Sequence, residues 1–238
     1  MDMSESKTKV NVVLVHGAWA DGSSWTQVIK PLQSRGLRVL AAPIPLTSLS
    51  DDVAALERAL ERTDGPVVLA AHAYAGAVIG ASTNQRVQSL VFVAALTPDE
   101  GETVGEVFYR EKPHPEAPQL APDRHGLLWM PDDRFGTAFC QNASPEQAAL
   151  LAATQRPIAV ACIQEKAPKP AWRTKPSWYL AAQEDRMINP ATQQFLARRM
   201  GAQTRSEEVD HAPLVTAPEL VVEIILQAVS GATARPRT

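Results

Sequence analysis

Cysteine is nearly absent from this chain: Cys140 and Cys162 are the pair in 238 residues. Two thiols do not build a disulfide framework, and the expectation is two reduced cysteines in a cytoplasmic protein. Long hydrophobic runs are absent as well. The longest weakly polar stretch, 66–81, contains His72 and Tyr74 and is too short and too rich in small residues to span a bilayer. The first residues, Met1 to Lys9, are polar and mixed in charge, without the apolar segment of a secretion signal. There is no excess of positive charge: 23 Lys and Arg face 26 Asp and Glu, the net charge is −3, and the basic residues are scattered. Neither nucleic acid nor a membrane is therefore an expected partner. No spacing among the histidines and cysteines suggests a metal site. The turn His16-Gly17-Ala18 has too few glycines for a phosphate loop. No metal and no cofactor is expected. The chain shows no internal repeat and no linker long enough to separate a second domain. A homodimer is left open.

What is present is an alternation of apolar strands and helices. A hydrophobic content of 45% and this length suffice for one α/β domain with a large core. Val10 to Val15 reads as a buried strand, followed by a helix to about Arg35. Leu37 to Ala42 is a strand closed by Pro43 and Pro45. Ser50-Asp51-Asp52 reads as the cap of a helix carrying Val53, Leu56 and Leu60 on one face. Pro66 to Ala71 is a strand that runs into a helix of small residues from Ala75. Val87 to Leu96 is another apolar strand, suited to a parallel sheet covered on both faces. Alternation then stops. The stretch from Thr97 to about residue 175 is rich in proline, has short helical patches such as Pro145 to Thr154, and holds six of the thirteen aromatics: Phe108, Tyr109, Trp129, Phe135, Phe139 and Trp172. Ser177 to Ala182 and Thr204 to Val209 read as strands, with helices over Pro190 to Met200 and Pro218 to Val229. Gly231 to Thr238 reads as a frayed tail.

The turn between strand and helix at Ala71-His72-Ala73-Tyr74-Ala75-Gly76 has the pattern small-x-nucleophile-x-small. Such a turn holds its central residue in a strained conformation over the end of a sheet, and its neighbours must be small because strand and helix meet there. The central residue is Ala73, whose methyl group is no nucleophile. Further along, a strand ends in Gln183-Glu184-Asp185-Arg186, and the next in Asp210-His211-Ala212-Pro213. The order is elbow, acid, histidine.

With VLVHGAW (Val13 to Trp19), AHAYAGAVI (Ala71 to Ile79), LVFVAALTPDEGE (Leu90 to Glu102), WYLAAQEDRMI (Trp178 to Ile188) and DHAPLVTAPE (Asp210 to Glu219), the chain resembles the α/β-hydrolase superfamily over nearly its whole length. It most resembles the compact branch with hydroxynitrile lyases, plant methylesterases and small bacterial esterase-like proteins. The resemblance implies an α/β-hydrolase fold: a mostly parallel central sheet, helices on both faces, and a small helical lid at about 97–175 within one domain, 1–238. It implies His211 as general base and Asp185 as the carboxylate that fixes its tautomer, with Asp99 as the substitute acid some relatives use. It implies backbone N–H donors at Ala18 and Tyr74 for an oxyanion. His16 is expected to order that loop and His72 to pack; His114 and His125 read as surface residues. Trp19, Phe108 and Trp129 are the candidate substrate-binding aromatics, for a small apolar carbonyl or ester substrate.

The branch usually carries Gly-His-Ser-x-Gly-Gly at the elbow, and this chain has Ala71, Ala73 and Ala75 at three of those places. Three readings of Ala73 stand side by side. One is an ester hydrolase in a Ser-to-Ala inactivated form. The second is a natural serine-free, cofactor-free lyase or decarboxylase using His211 and the oxyanion hole. The third is a non-catalytic small-molecule binding protein.

Overall fold

The computed structural model describes residues 10–233. The reading of Met1 to Lys9, and that of the tail beyond residue 233, lie outside the described residues. In chain order the strands of the main sheet are β1 (Asn11–Val15), β2 (Arg38–Ala42), β3 (Val67–His72), β4 (Val87–Val93), β7 (Ser177–Ala182) and β8 (Gln203–Glu207). Between β4 and β7 a small antiparallel ribbon pairs β5 (Leu127–Leu128) with β6 (Ile158–Ala159). The main sheet has the order β2-β1-β3-β4-β7-β8, and every pairing in it is parallel.

The strand sequences explain this sheet. β1 and β3 are buried along their full length, as strands covered on both faces must be. Alternate side chains go to opposite layers. Val12 and Leu14 pack with α1 (Thr26–Ser34) and the last helix, α10 (Pro218–Thr233). Val13 and Val15 pack with α2 (Leu49–Leu60), α3 (Ala75–Gly80) and α8 (Pro190–Arg199). The helix expected to end at Val229 continues to Thr233, so Gly231 belongs to α10 rather than to a frayed tail.

The segment between β4 and β7 carries α4 (Val104–Phe108), α5 (Asp132–Arg134), a π-turn at Phe135–Phe139, α6 (Pro145–Thr154) and α7 (Val160–Gln164). It folds over the carboxyl ends of the strands. Two of its six aromatics, Phe108 and Tyr109, line the central cavity. Phe135, Phe139 and Trp172 are buried in the core clusters instead. The cap of α2 corrects the sequence reading. Ser48, not the Ser50-Asp51-Asp52 run, is the N-cap, its side chain accepting from Asp51 N–H, and Asp52 is a fully buried residue on the inner face of the helix.

Candidate active site

The elbow forms where β3 stops. Ala73 sits at φ +50°, in the left-handed region that costs an L-residue about 1–2 kcal/mol. Three backbone bonds hold it there: Ala73 N–H donates to Val93 O (3.2 Å), while its own carbonyl accepts from Gly76 N–H (3.1 Å) and Leu96 N–H (3.0 Å). The small neighbours are needed. A Cβ on Gly76 would lie 2.5 Å from the Leu96 carbonyl oxygen, and one on Gly17 would lie 3.0 Å from the Ala73 methyl. The sequence places these glycines where the oxyanion loop, the elbow and the end of β4 converge.

His211 follows β8, and its ring reaches the cavity beside Ala73. Its Nδ1 lies 2.8 Å from Asp185 Oδ2, both side chains being buried. The carboxylate is locked by further donors. Asp185 Oδ1 accepts from the N–H of Met187 (2.7 Å) and Ile188 (2.9 Å), and Oδ2 accepts from Gln193 Nε2 (2.7 Å). Gln193 is itself held, accepting from Ala182 N–H at 3.0 Å and donating to Ile188 O at 3.0 Å. With Nδ1–H committed to Asp185, His211 presents Nε2 to the cavity, where it has no hydrogen-bond partner among the described residues. The loop carrying it is fixed by Asp210, whose carboxylate accepts from Ala212 N–H, Thr216 Oγ1 and Asn142 N–H. Burial pushes that carboxyl upward in pKa, and the hydrogen bonds oppose the rise.

Neither Ala18 N–H nor Tyr74 N–H has a backbone partner among the described residues, and both residues line the cavity with Ala73 and His211. Trp19, at φ +56°, follows Ala18. His16 binds back to its own loop, Nδ1 facing Gly17 O at 3.0 Å, and burial lowers its pKa. His72 does more than pack. Its Nε2–H donates to the carbonyl of His211 at 2.7 Å, and its ring lies against Phe139 and His211. Burial, then the nearby His211, holds its pKa well below the ordinary value, so it is a neutral positioning group.

The cavity is about 280 Å³ and is walled by Trp19, Leu96, Phe108, Leu128, Ile158 and Met187 among others. Among the described residues no Asp, Glu, Lys or Arg lines it. The structure brings Ala18, Trp19, Ala73, Tyr74, Phe108 and His211 together around this space, with Asp185 behind His211. It does not bring Trp129, which is 47% exposed and turned away, its indole N–H donating to Asp123 Oδ2 at 3.2 Å. Asp99 is also elsewhere, paired with Arg173 at 2.7 Å. His125 is exposed and His114 half-buried outside the cavity. Among the described residues no group of three His, Cys, Asp or Glu could hold a metal ion, and no helix is long and apolar enough to cross a membrane. Gln193 and Asp52 were not legible as site residues.

A parallel sheet, an elbow with a left-handed residue at its tip, and an Asp-His pair following the last two strands define an α/β-hydrolase. The chain belongs to the alpha/beta hydrolase family, whose model matches residues 12–224. Among its relatives is Methylesterase 2 of Arabidopsis thaliana, 24% identical over 94% of this chain and 97% of the relative. Similar solved structures include a serine-to-alanine variant of the pyrethroid hydrolase PytH (TM-score 0.82, 20% identity, 96% of this chain and 100% of that one). Polyneuridine aldehyde esterase also superposes (TM-score 0.80, 19% identity, 93% and 99% covered).

Proposed function

We propose that this is an ester-hydrolase site for a small, uncharged ester or related carbonyl compound, silenced for acyl transfer by Ala73 at the nucleophile position. One observation carries the reading. Ala73 keeps the left-handed conformation of the elbow, at φ +50°, on the same cavity wall as two N–H groups unpaired among the described residues and the His211 of a locked Asp185–His211 pair. That geometry serves a hydroxyl on the Ala73 Cβ. His211 Nε2 takes the hydroxyl proton as the oxygen attacks the carbonyl carbon, Ala18 N–H and Tyr74 N–H hold the resulting oxyanion, and Asp185 stabilises the imidazolium. The relatives named methylesterase, pyrethroid hydrolase and polyneuridine aldehyde esterase support the ester class. The absence of any Asp, Glu, Lys or Arg of the described residues from the cavity wall favours a neutral substrate, because an unpaired buried charge is costly. Installing the missing oxygen with Ala73→Ser and assaying a short-chain activated ester tests the reading.

A second reading is favoured by the free Nε2 of His211. Of the titratable groups on the cavity wall, Tyr74 turns its hydroxyl to Asp52 and Tyr109 is largely exposed, which leaves His211 Nε2 as the proton-transfer group facing a bound carbonyl. With a carbonyl oxygen on the two N–H groups, His211 removes or delivers a proton at the adjacent carbon with no covalent step. The chain as it stands would then exchange α-protons of a neutral ketone for deuterium in D₂O, and His211→Ala would stop it. Exchange at the buffer rate across a panel of ketones that bind would leave only binding.

A further inference from the structure

Asp52 has no part in the chemistry above, yet it is a fully buried carboxylate. A carboxylate persists in a core only with donors around it, and its donors come from three different parts of the chain. Leu46 N–H, on the loop after β2, binds Oδ1 at 2.6 Å. The Tyr74 hydroxyl, at the elbow, binds Oδ2 at 2.7 Å. The Cys162 thiol, on α7 of the inserted segment, reaches the same oxygen at 3.7 Å. Tyr74 is the residue whose own N–H is the second oxyanion donor, so the carboxylate fixes the far end of the side chain whose backbone carries that donor.

The inserted segment grips the same region at further points. Leu46 is at φ +62°, and its carbonyl accepts from Ala159 N–H of β6 at 3.0 Å. On the other side of the cavity, Trp19 is at φ +56°, next to the first donor, Ala18. Trp19 N–H donates to Arg156 O at 2.9 Å and its indole N–H to Leu128 O at 2.9 Å. The Ala18 donor thus lies one residue from a side chain anchored to the inserted segment, the Tyr74 donor is tied to that segment through Asp52 and Cys162, and two of the four non-glycine left-handed residues, Trp19 and Leu46, are pinned by backbone bonds to 156–159.

We propose that Asp52 is a positioning residue for the oxyanion hole, joining Tyr74, the 44–46 loop and the inserted segment into one unit, so that docking of that segment and correct aim of the two N–H donors are a single event. The inference rests on the assignment of Ala18 and Tyr74 as oxyanion donors, and its test has an arm that needs no hydrolysis. In the ¹⁵N-labelled full chain, Asp52→Asn should displace the amide resonances of residues 74 and 18, and Tyr74→Phe that of residue 18. Amides in the same core cluster but outside the unit, such as those of Leu196 and Ala197 in α8, should stay in place. Tyr74→Phe removes one oxygen atom, and it decides the matter if Asp52→Asn does not fold. An unmoved residue 18 resonance in either folded variant would overturn the proposal. In the Ala73→Ser background, Asp52→Asn should lower kcat about tenfold with KM within about twofold, since misplaced donors weaken transition-state rather than ground-state binding. Unchanged kcat would also overturn it. If Ala73→Ser gives no hydrolysis at all, the ester reading falls while the resonances still judge Asp52.

Discussion

The Nε2–H of His72 donates to the backbone carbonyl of His211 at 2.7 Å, so the residue before the elbow tip holds the loop that carries the base. This bond needs a proton on Nε2, which the neutral ring supplies in its Nε2–H tautomer, and by itself it would favour the charged ring. Burial keeps His72 neutral by lowering its pKa well below the ordinary 6.5, and burial lowers His16 as well. The linkage sign follows. Below about pH 6.5 the unfolded chain takes up protons that the folded chain refuses, so this contribution to stability is complete above the unfolded pKa and is lost as pH falls toward the depressed folded values. The thermal midpoint should therefore drop between pH 7.5 and 5.5. His72→Gln, which keeps a donor and removes the titration, should flatten that slope in calorimetry across the same range. An unchanged slope would show that His72 does not carry the effect.

Gln193 closes the network behind the base. Its amide donates to Asp185 Oδ2 and Ile188 O while accepting from Ala182 N–H. Gln193→Leu would leave the buried Ala182 N–H unpaired and remove one donor from Asp185. A loss of about 1–3 kcal/mol is expected from chemical denaturation. Stability equal to the parent would mean that other groups or water replace the amide.

Gly76 is fixed by close approach, since its missing Cβ would lie 2.5 Å from the Leu96 carbonyl oxygen and 2.9 Å from the Ala95 Cβ. Both obstacles are stiff. Gly76→Ala should cost about 1–3 kcal/mol through overpacking at the elbow, read as a lower denaturant midpoint. Gly17→Ala meets the Ala73 methyl and the His72 carbonyl at a less severe 3.0 Å and should cost less.

The sheet was legible because buried parallel strands announce themselves. β3 is Val67-Val68-Leu69-Ala70-Ala71-His72, all buried, and the prediction missed its bounds by one residue. β8 was harder: its sequence Gln203-Thr204-Arg205-Ser206-Glu207 is that of an edge strand, largely exposed or half-buried, and only its place before Asp210-His211 marked it. Ala73, Asp185 and His211 were legible from their position after strands. An aromatic in the inserted segment reads as facing the pocket, and that expectation fails for Trp129. Its direction is set by a hydrogen bond to Asp123 that composition does not show. Asp52 was read with the helix cap because an acidic residue in a first turn is normal there. The signal that pointed inward was its spacing from Leu49, Leu56 and Leu60, which puts it on the apolar stripe of α2. Its partner Tyr74 is 22 residues away, beyond any local pattern.

As proposed above, this site lacks one oxygen atom and little else for ester hydrolysis. The most direct measurement is the hydrolysis rate of a short-chain activated ester by the parent, Ala73→Ser, and Ala73→Ser combined with His211→Ala. Installing Ser should raise the rate about a thousandfold or more, with nearly all of the gain lost again when His211 is removed. A folded Ala73→Ser protein no faster than the parent, or one whose gained activity survives the loss of His211, would contradict the proposal.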